Sequence, residues 1–167
     1  NCPKLKSDNA SWFFDRTWAL WEDKRRLFQA IPRLGVIGVS DWITDEARAS
    51  FLKSAKVIRR IYNWIDLDIF KPGGRETARA GLGLGDKFVL LGVAGGWSEK
   101  KGLNRFLCLA EQLEKDEQLL LVGAMPRVNL PQNVTHIPLT NNTAELAELY
   151  GAADVFLQLS EEETFGK

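Results

Sequence analysis

The sequence predicts an α/β fold: parallel sheets with helices on both faces, divided between two units. Three observations carry that expectation. Short apolar runs of strand length alternate with longer amphipathic stretches from Leu34 to Leu159, and alternation in this order favours parallel neighbours joined by crossover helices. The alternation breaks once, over 62–75, where turn formers and isolated large apolar groups lead into Pro72-Gly73-Gly74, a run that stops any regular element. Glycine or a small polar residue follows several of the apolar runs, as at Ser40, Gly95, Gly123 and Ser160, which places chain turns at one edge of each sheet.

In order along the chain, Trp18, Trp21, Leu27 and Phe28 fall near helical spacing and predict a helix over 17–30, ended by Pro32. The stripe of Trp18, Trp21 and Phe28 reads as core rather than as a platform for an acceptor. Leu34 to Ser40 is an apolar strand. Ser40 or Asp41 then caps a helix running to about Ser54, with Ala47, Phe51 and Leu52 on its apolar face. Lys56 to Ile61 returns as a strand. In the connecting stretch 62–75, Ile65 and Phe70 are the expected anchors. The second unit is expected to run as a strand over 87–94, a loop over 95–102, a helix over 103–113 and a strand over 118–123. A short strand over 134–137, a helix from the Asn142 cap to Tyr150 and a buried strand over 154–159 complete it. Cys108, mid-helix between Leu107 and Leu109, reads as a packed or neutral thiol.

Composition removes several function classes. Lys plus Arg and Asp plus Glu both number 22, so no basic excess points to nucleic acid. No apolar run approaches the ~20 residues of a membrane span, and no signal peptide is expected. Two cysteines, Cys2 and Cys108, are too few for a disulfide framework and fit a reducing cytoplasm. The start at Asn1 and the stop just after an opening site motif suggest a piece of a larger enzyme.

Two segments could carry chemistry. Gly95-Gly96-Trp97-Ser98-Glu99-Lys100-Lys101-Gly102 follows a strand and precedes a helix. Glycines, a helix N-terminus and a lysine suit a phosphate, although the loop matches neither G-x-G-x-x-G nor G-K-[ST]. A solvated lysine loop is the competing interpretation. The second segment is Ser160-Glu161-Glu162-Glu163-Thr164-Phe165-Gly166, after the last strand. An acidic run is often a solvated edge; alternatively one carboxylate accepts hydrogen bonds from sugar hydroxyls, with Gly166 free to take an unusual backbone angle beside a ligand oxygen. Both segments follow strands of one sheet at its carboxyl edge, so they can meet on one ligand. A lysine for diphosphate beside a carboxylate for a polyol describes a nucleotide-sugar site.

Asn63-Trp64-Ile65-Asp66 with Phe70-Lys71-Pro72, Lys101-Gly102, Leu121-Val122-Gly123, Ala153-Asp154-Val155-Phe156 and Ser160 to Gly166 together resemble, in order and spacing, the motifs of the family 4 (group 1) retaining glycosyltransferases. The resemblance covers 34–167. It implies the GT-B fold, two Rossmann-like domains with the donor between them. On that basis 1–61 is the last part of the acceptor-side domain, 62–75 the hinge, and 76–167 the first half of the nucleotide-sugar-binding domain. The resemblance further implies that Lys101 contacts the donor diphosphate and that Glu163 is the catalytic-site acid holding the donor sugar. Phe165 and Gly166 would present backbone to the donor, and Gly123, with the stretch from His136 to Leu139, would lie near the nucleotide base and ribose. His136 carries a structural or base-proximal role rather than that of a general base. No metal and no cofactor are expected; the nucleotide sugar is a substrate. The acceptor would be a glycan or lipid-linked sugar, the setting polysaccharide synthesis in the cytoplasm, with room for peripheral contact at the inner membrane face.

The sequence departs from the family pattern in three places. Gly96 stands where an arginine is usual, Trp64 replaces the hinge glycine, and the partner of Glu163 in the acidic pair would fall beyond Lys167. Two other functions compete: a non-catalytic binding fragment, and a GT-B-like nucleotide-sugar epimerase, which would change the donor without an acceptor.

Overall fold

A computed structural model describes residues 14–161 and 163, and divides the chain into two compact units, with the boundary between Asn63 and Trp64. In unit 1, α1 (Thr17–Gln29) is followed by β1 (Gly35–Gly38), α2 (Asp41–Ala49), a 3-10 turn (Phe51–Ser54) and β2 (Val57–Arg60). β1 and β2 pair in parallel, Gly35 opposite Val57 through Gly38 opposite Arg60. Ser40, not Asp41, is the cap of α2: its Oγ accepts from the Ile43 N–H at 3.2 Å. Asp41 instead pairs with Arg60 at 2.5 Å, tying the start of α2 to the end of β2.

Two expectations for this unit are corrected. The second helix ends at Ala49 rather than near Ser54, because Ser50 turns to an extended ψ and its Oγ accepts from the Leu52 N–H at 3.1 Å. A serine that binds the amide two residues on offers the backbone an alternative to continuing the helix. The aromatic stripe of α1 is not core. Trp18 is 66% exposed, and α1 holds no buried residue. Trp21 and Phe28 meet one ring, Phe51, at 5.8 and 6.2 Å, so the helix covers only its narrow edge.

Unit 2 runs α3 (Arg75–Gly81), β3 (Phe88–Gly96), α4 (Leu103–Ala110), β4 (Glu117–Ala124), β5 (Val134–Ile137), α5 (Thr143–Ala152) and β6 (Val155–Phe156). Its four strands are parallel and lie in the order β5-β4-β3-β6. Along β4 the side chains alternate between two cores. Leu119 and Leu121 join Leu90, Trp97, Phe106 and Ala110 on the α4 face. Leu120 and Val122 join Val89, Leu91, Leu149 and Ala152 on the α5 face. Leu119, Leu120 and Leu121 have no exposed surface; each contributes about 2 kcal/mol by burial. This is a doubly wound sheet, as the alternation of elements predicts.

The sequence reading contains no helix at α3. Its residues, Arg-Glu-Thr-Ala-Arg-Ala-Gly, include no large apolar group, so no amphipathic pattern exists to be read. What holds it is tertiary: Arg79, 9% exposed, donates to the carbonyls of Gly85 and Ala152 and to Asp154. Ahead of α3, Phe70 packs against Tyr150 at 6.3 Å, as an anchor should; Ile65 is exposed and is not one. The last strand also differs. β6 is two residues long and half-exposed, not a buried strand over 154–159, because it is the edge of the sheet and its ladder with β3 stops at Leu91 opposite Phe156. Gly95 and Gly96 close β3 rather than open the loop, α4 ends at Ala110, and Cys108 lies on its exposed face rather than in the core.

Candidate functional site

The strand order places a switch point in unit 2. From β3 the chain moves outward through β4 to β5, then returns to the other side of β3 for β6. Loops leaving β3 and β6 therefore diverge, and the crevice outside the carboxyl ends of two such strands is where open α/β sheets bind ligands. Lys101 lies on the loop after β3, and Glu163 follows β6.

The β3 loop is held from below. Trp97 is 6% exposed, stacks edge-on against Phe106 at 5.1 Å, and donates from Nε1 to Val122 O at 3.1 Å. Ser98 then builds the turn into α4: its carbonyl accepts from the N–H groups of Lys101 and Leu103, each at 3.1 Å, while Glu99 O accepts from the Gly102 N–H at 2.8 Å. These three amides are engaged inside the turn. The N–H groups of Lys101, Gly102 and Leu103 therefore serve the turn, while the Lys101 ammonium projects from it toward the loop after β6. Gly102 takes φ +79°, and a Cβ there would stand 2.4 Å from Leu159 O. Only glycine lets the two loops approach this closely.

Across the switch point Lys101 Nζ meets Glu163 Oε1 at 2.5 Å, although the residues are 62 apart in sequence. Both side chains stay partly open, 39% and 28% exposed. Gln158 Nε2 donates to the same carboxylate oxygen at 2.8 Å. The Lys101 ammonium holds the Glu163 carboxyl below the usual glutamate range; burial opposes this, and Ser160 and Gln158 reinforce it. Glu163 is thus an anion beside a cation, in a place where a ligand can reach both. Such a pair can exchange partners: phosphate oxygens for the ammonium, hydroxyl donors for the carboxylate.

The other sequence-derived candidates are placed as follows. Gly123 ends β4 one strand away on the same edge, with φ +131° and room for no Cβ, which would come to 1.8 Å of Ala94 O. Its carbonyl lies 2.7 Å from His136 Nε2, so the histidine ring is bonded to the backbone at Gly123. Phe165 and Gly166 lie outside the described residues, as do Glu162 and Cys2.

Sequence reasoning missed Arg105 and Gln158, which lace the loop after β6. Arg105 donates from Nη1 to Leu159 O at 2.8 Å and from Nη2 to Glu161 Oε1 at 3.0 Å. No spacing rule links residues about fifty positions apart; the nearest signal is an arginine in the first turn of α4, where the helix dipole alone would favour an acid. In the sequence Asp154 belongs to a strand motif and nothing local marks it further. Its carboxylate accepts from the Val89 N–H at 2.7 Å and pairs with Arg75 and Arg79.

Two cavities open elsewhere in unit 2. One of about 530 Å³ is lined by Arg75, Arg79, Lys87 and Asp154 at the amino edge, and one of about 590 Å³ lies between α3 and α5. Neither touches Lys101 or Glu163. In the first, Arg79 is already committed to protein carbonyls and Asp154. Among the described residues no helix is long and apolar enough to cross a membrane.

No protein-family model and no curated protein sequence matches the chain. Solved structures do. Sucrose-phosphate synthase from Thermosynechococcus elongatus is similar over 97% of this chain and 43% of its own, at 23% identity and a TM-score of 0.73. HepE from Anabaena, solved in complex with UDP and glucose, is similar over 92% of this chain and 44% of its own, at 20% identity and a TM-score of 0.70. WaaG, a glycosyltransferase involved in lipopolysaccharide biosynthesis, is similar over 77% and 38%, at 19% identity and a TM-score of 0.57. The fold is that of the GT-B glycosyltransferases, and the chain spans less than half the length of each of these structures.

Proposed function

We propose that this chain is part of a retaining glycosyltransferase and binds a nucleotide-sugar donor at the switch point between β3 and β6. The observation that carries this reading is the meeting of Lys101 and Glu163 at 2.5 Å from loops on two strands. Lys101 grips the diphosphate and stabilises its departure. Glu163, anionic at neutral pH, accepts hydrogen bonds from the sugar and faces the positive charge that develops as the anomeric bond breaks. Held in one crevice, the two groups fix the donor's orientation ahead of acceptor attack. Gly123 and the backbone after Glu163, including Phe165 and Gly166, line the rest of the donor site. Support comes also from HepE, a fold neighbour solved with UDP-glucose. The reading assigns no bound metal or cofactor, a glycan or lipid-linked acceptor, and a cytoplasmic setting with peripheral membrane contact.

Calorimetric titration of UDP-glucose and UDP tests it. Lys101→Ala should weaken both ligands by about a hundredfold, the scale of a lost hydrogen bond to a charged group. Glu163→Gln should weaken UDP-glucose while sparing UDP. Wild-type affinity for both ligands in both variants would remove the assignment.

A further inference from the structure

The stretch that carries Glu163 is held by little backbone pairing. The β3–β6 ladder stops at Phe156, and one further bond, Leu157 N–H to Leu91 O at 2.8 Å, ends the contact with the sheet. Past that point the described bonds run to the β3 loop and α4. Glu161 N–H donates to Lys100 O at 3.0 Å. Arg105 donates to Leu159 O and to the Glu161 carboxylate, at 2.8 and 3.0 Å. Gln158 Nε2 bridges Ser160 Oγ at 3.1 Å and Glu163 Oε1 at 2.8 Å.

We infer that Arg105 is a positioning residue for the donor site: its guanidinium clamps Leu159 and Glu161 against α4 and so aims Glu163 at Lys101. This rests on the reading of Lys101 and Glu163 as the donor pair. Arginine suits the task because its planar fork reaches a carbonyl and a carboxylate at once, which a lysine point charge does not do. Global stability is not its main effect. The Arg105 and Glu161 side chains are 53% and 48% exposed, and ion pairs in that setting contribute little to folding. Its loss should therefore appear in the geometry of the loop. Glu163 supplies a built-in reporter, because Lys101, Ser160 and Gln158 are the groups that hold its carboxyl below the ordinary value.

The experiment is a carbon-detected NMR titration of Glu163 on the full chain and its Arg105→Ala and Arg105→Lys variants, with calorimetry of UDP-glucose and UDP. In Arg105→Ala the Glu163 titration should move up toward the ordinary 4.5, with the far-UV spectrum unchanged. UDP-glucose affinity should fall about tenfold and UDP affinity by less than about twofold, because only the sugar-facing acid is misaimed. Arg105→Lys should not rescue, and Arg105→Ala placed on Glu163→Gln should cost no further UDP-glucose affinity. A Glu163 titration that stays at its wild-type position in a folded Arg105 variant overturns the inference. So does equal loss of UDP and UDP-glucose, which would put Arg105 on the diphosphate itself. If Arg105→Ala does not fold, Arg105→Lys decides by the same titration. If wild type binds neither nucleotide, the donor-site reading fails, while the Glu163 titration still decides what Arg105 does.

Discussion

At the amino edge of the four-stranded sheet, Arg79 gives its N–H groups to Gly85 O, Ala152 O, Lys87 O and Asp154, and Asp154 takes the Val89 N–H as well. At the carboxyl edge, Lys101 meets Glu163 through one hydrogen bond, and both side chains remain partly open. The ingredients are alike, a cation and a carboxylate from segments far apart in the chain, yet their states differ. Around Arg79 the donors are met by three main-chain carbonyls, two before β3 and one at the end of α5, so the cluster clasps α3 to the strands and has little left for a ligand. Lys101 and Glu163 have spare donors and acceptors and water at hand. What separates a structural ion pair from a candidate site is how much hydrogen-bonding capacity the protein has already used.

Breaking the clasp is the strongest way to test that contrast. Arg79→Leu should destabilise unit 2 by about 3–5 kcal/mol, since it leaves Asp154 without its buried partner and several carbonyls without donors. Urea unfolding followed by circular dichroism measures this, and UDP-glucose binding by the remaining folded protein should be unchanged. Gly102→Ala acts at the other edge and should cost about 2 kcal/mol from the positive φ and the Leu159 contact. Unlike Arg79→Leu it should also weaken UDP-glucose, because the β6 loop must retreat.

Acid sharpens the comparison further. Burial pushes the Asp154 carboxyl up, but the Val89 N–H, Arg75 and Arg79 outweigh it and hold the group below its ordinary 3.8. A carboxyl depressed by folding adds stability that is present above the unfolded value and is lost as pH falls through the folded one. Stability should therefore drop on acidification below about pH 4, and Asp154→Asn should flatten that limb while lowering stability at pH 7. The smallest effect belongs to the open pair: Lys101→Ala should change unfolding free energy by less than about 1 kcal/mol, as exposed pairs do, despite its large effect on binding. A loss in Lys101→Ala as large as that in Arg79→Leu would erase the distinction between the edges.

Much of the fold was legible because local periodicity carried it. Leu119 to Val122 announce a strand buried on both faces, and Asn142 caps α5 through the N–H groups of Ala144 and Glu145 as its position suggested. The site was legible in part. Place after a strand marked the two segments, the family resemblance picked Lys101 and Glu163 within them, and these two side chains meet in the structure. α3 was invisible because its stability comes from Arg79 bonds to residues up to 75 positions away. The α1 stripe was misread because helical spacing of Trp18, Trp21 and Phe28 says which residues share a side, not what covers them.

By itself the sequence determined most of the strands and helices and the parallel order of the sheets, since period, caps and turn chemistry act over a few residues. Only the tertiary structure decided that β6 lies on the far side of β3, that Arg105 grips the loop beyond it, and which of two charged clusters is saturated. Those outcomes depend on hydrogen bonds between residues dozens of positions apart, and a donor's partners are fixed only when the sheet brings the acceptors to it.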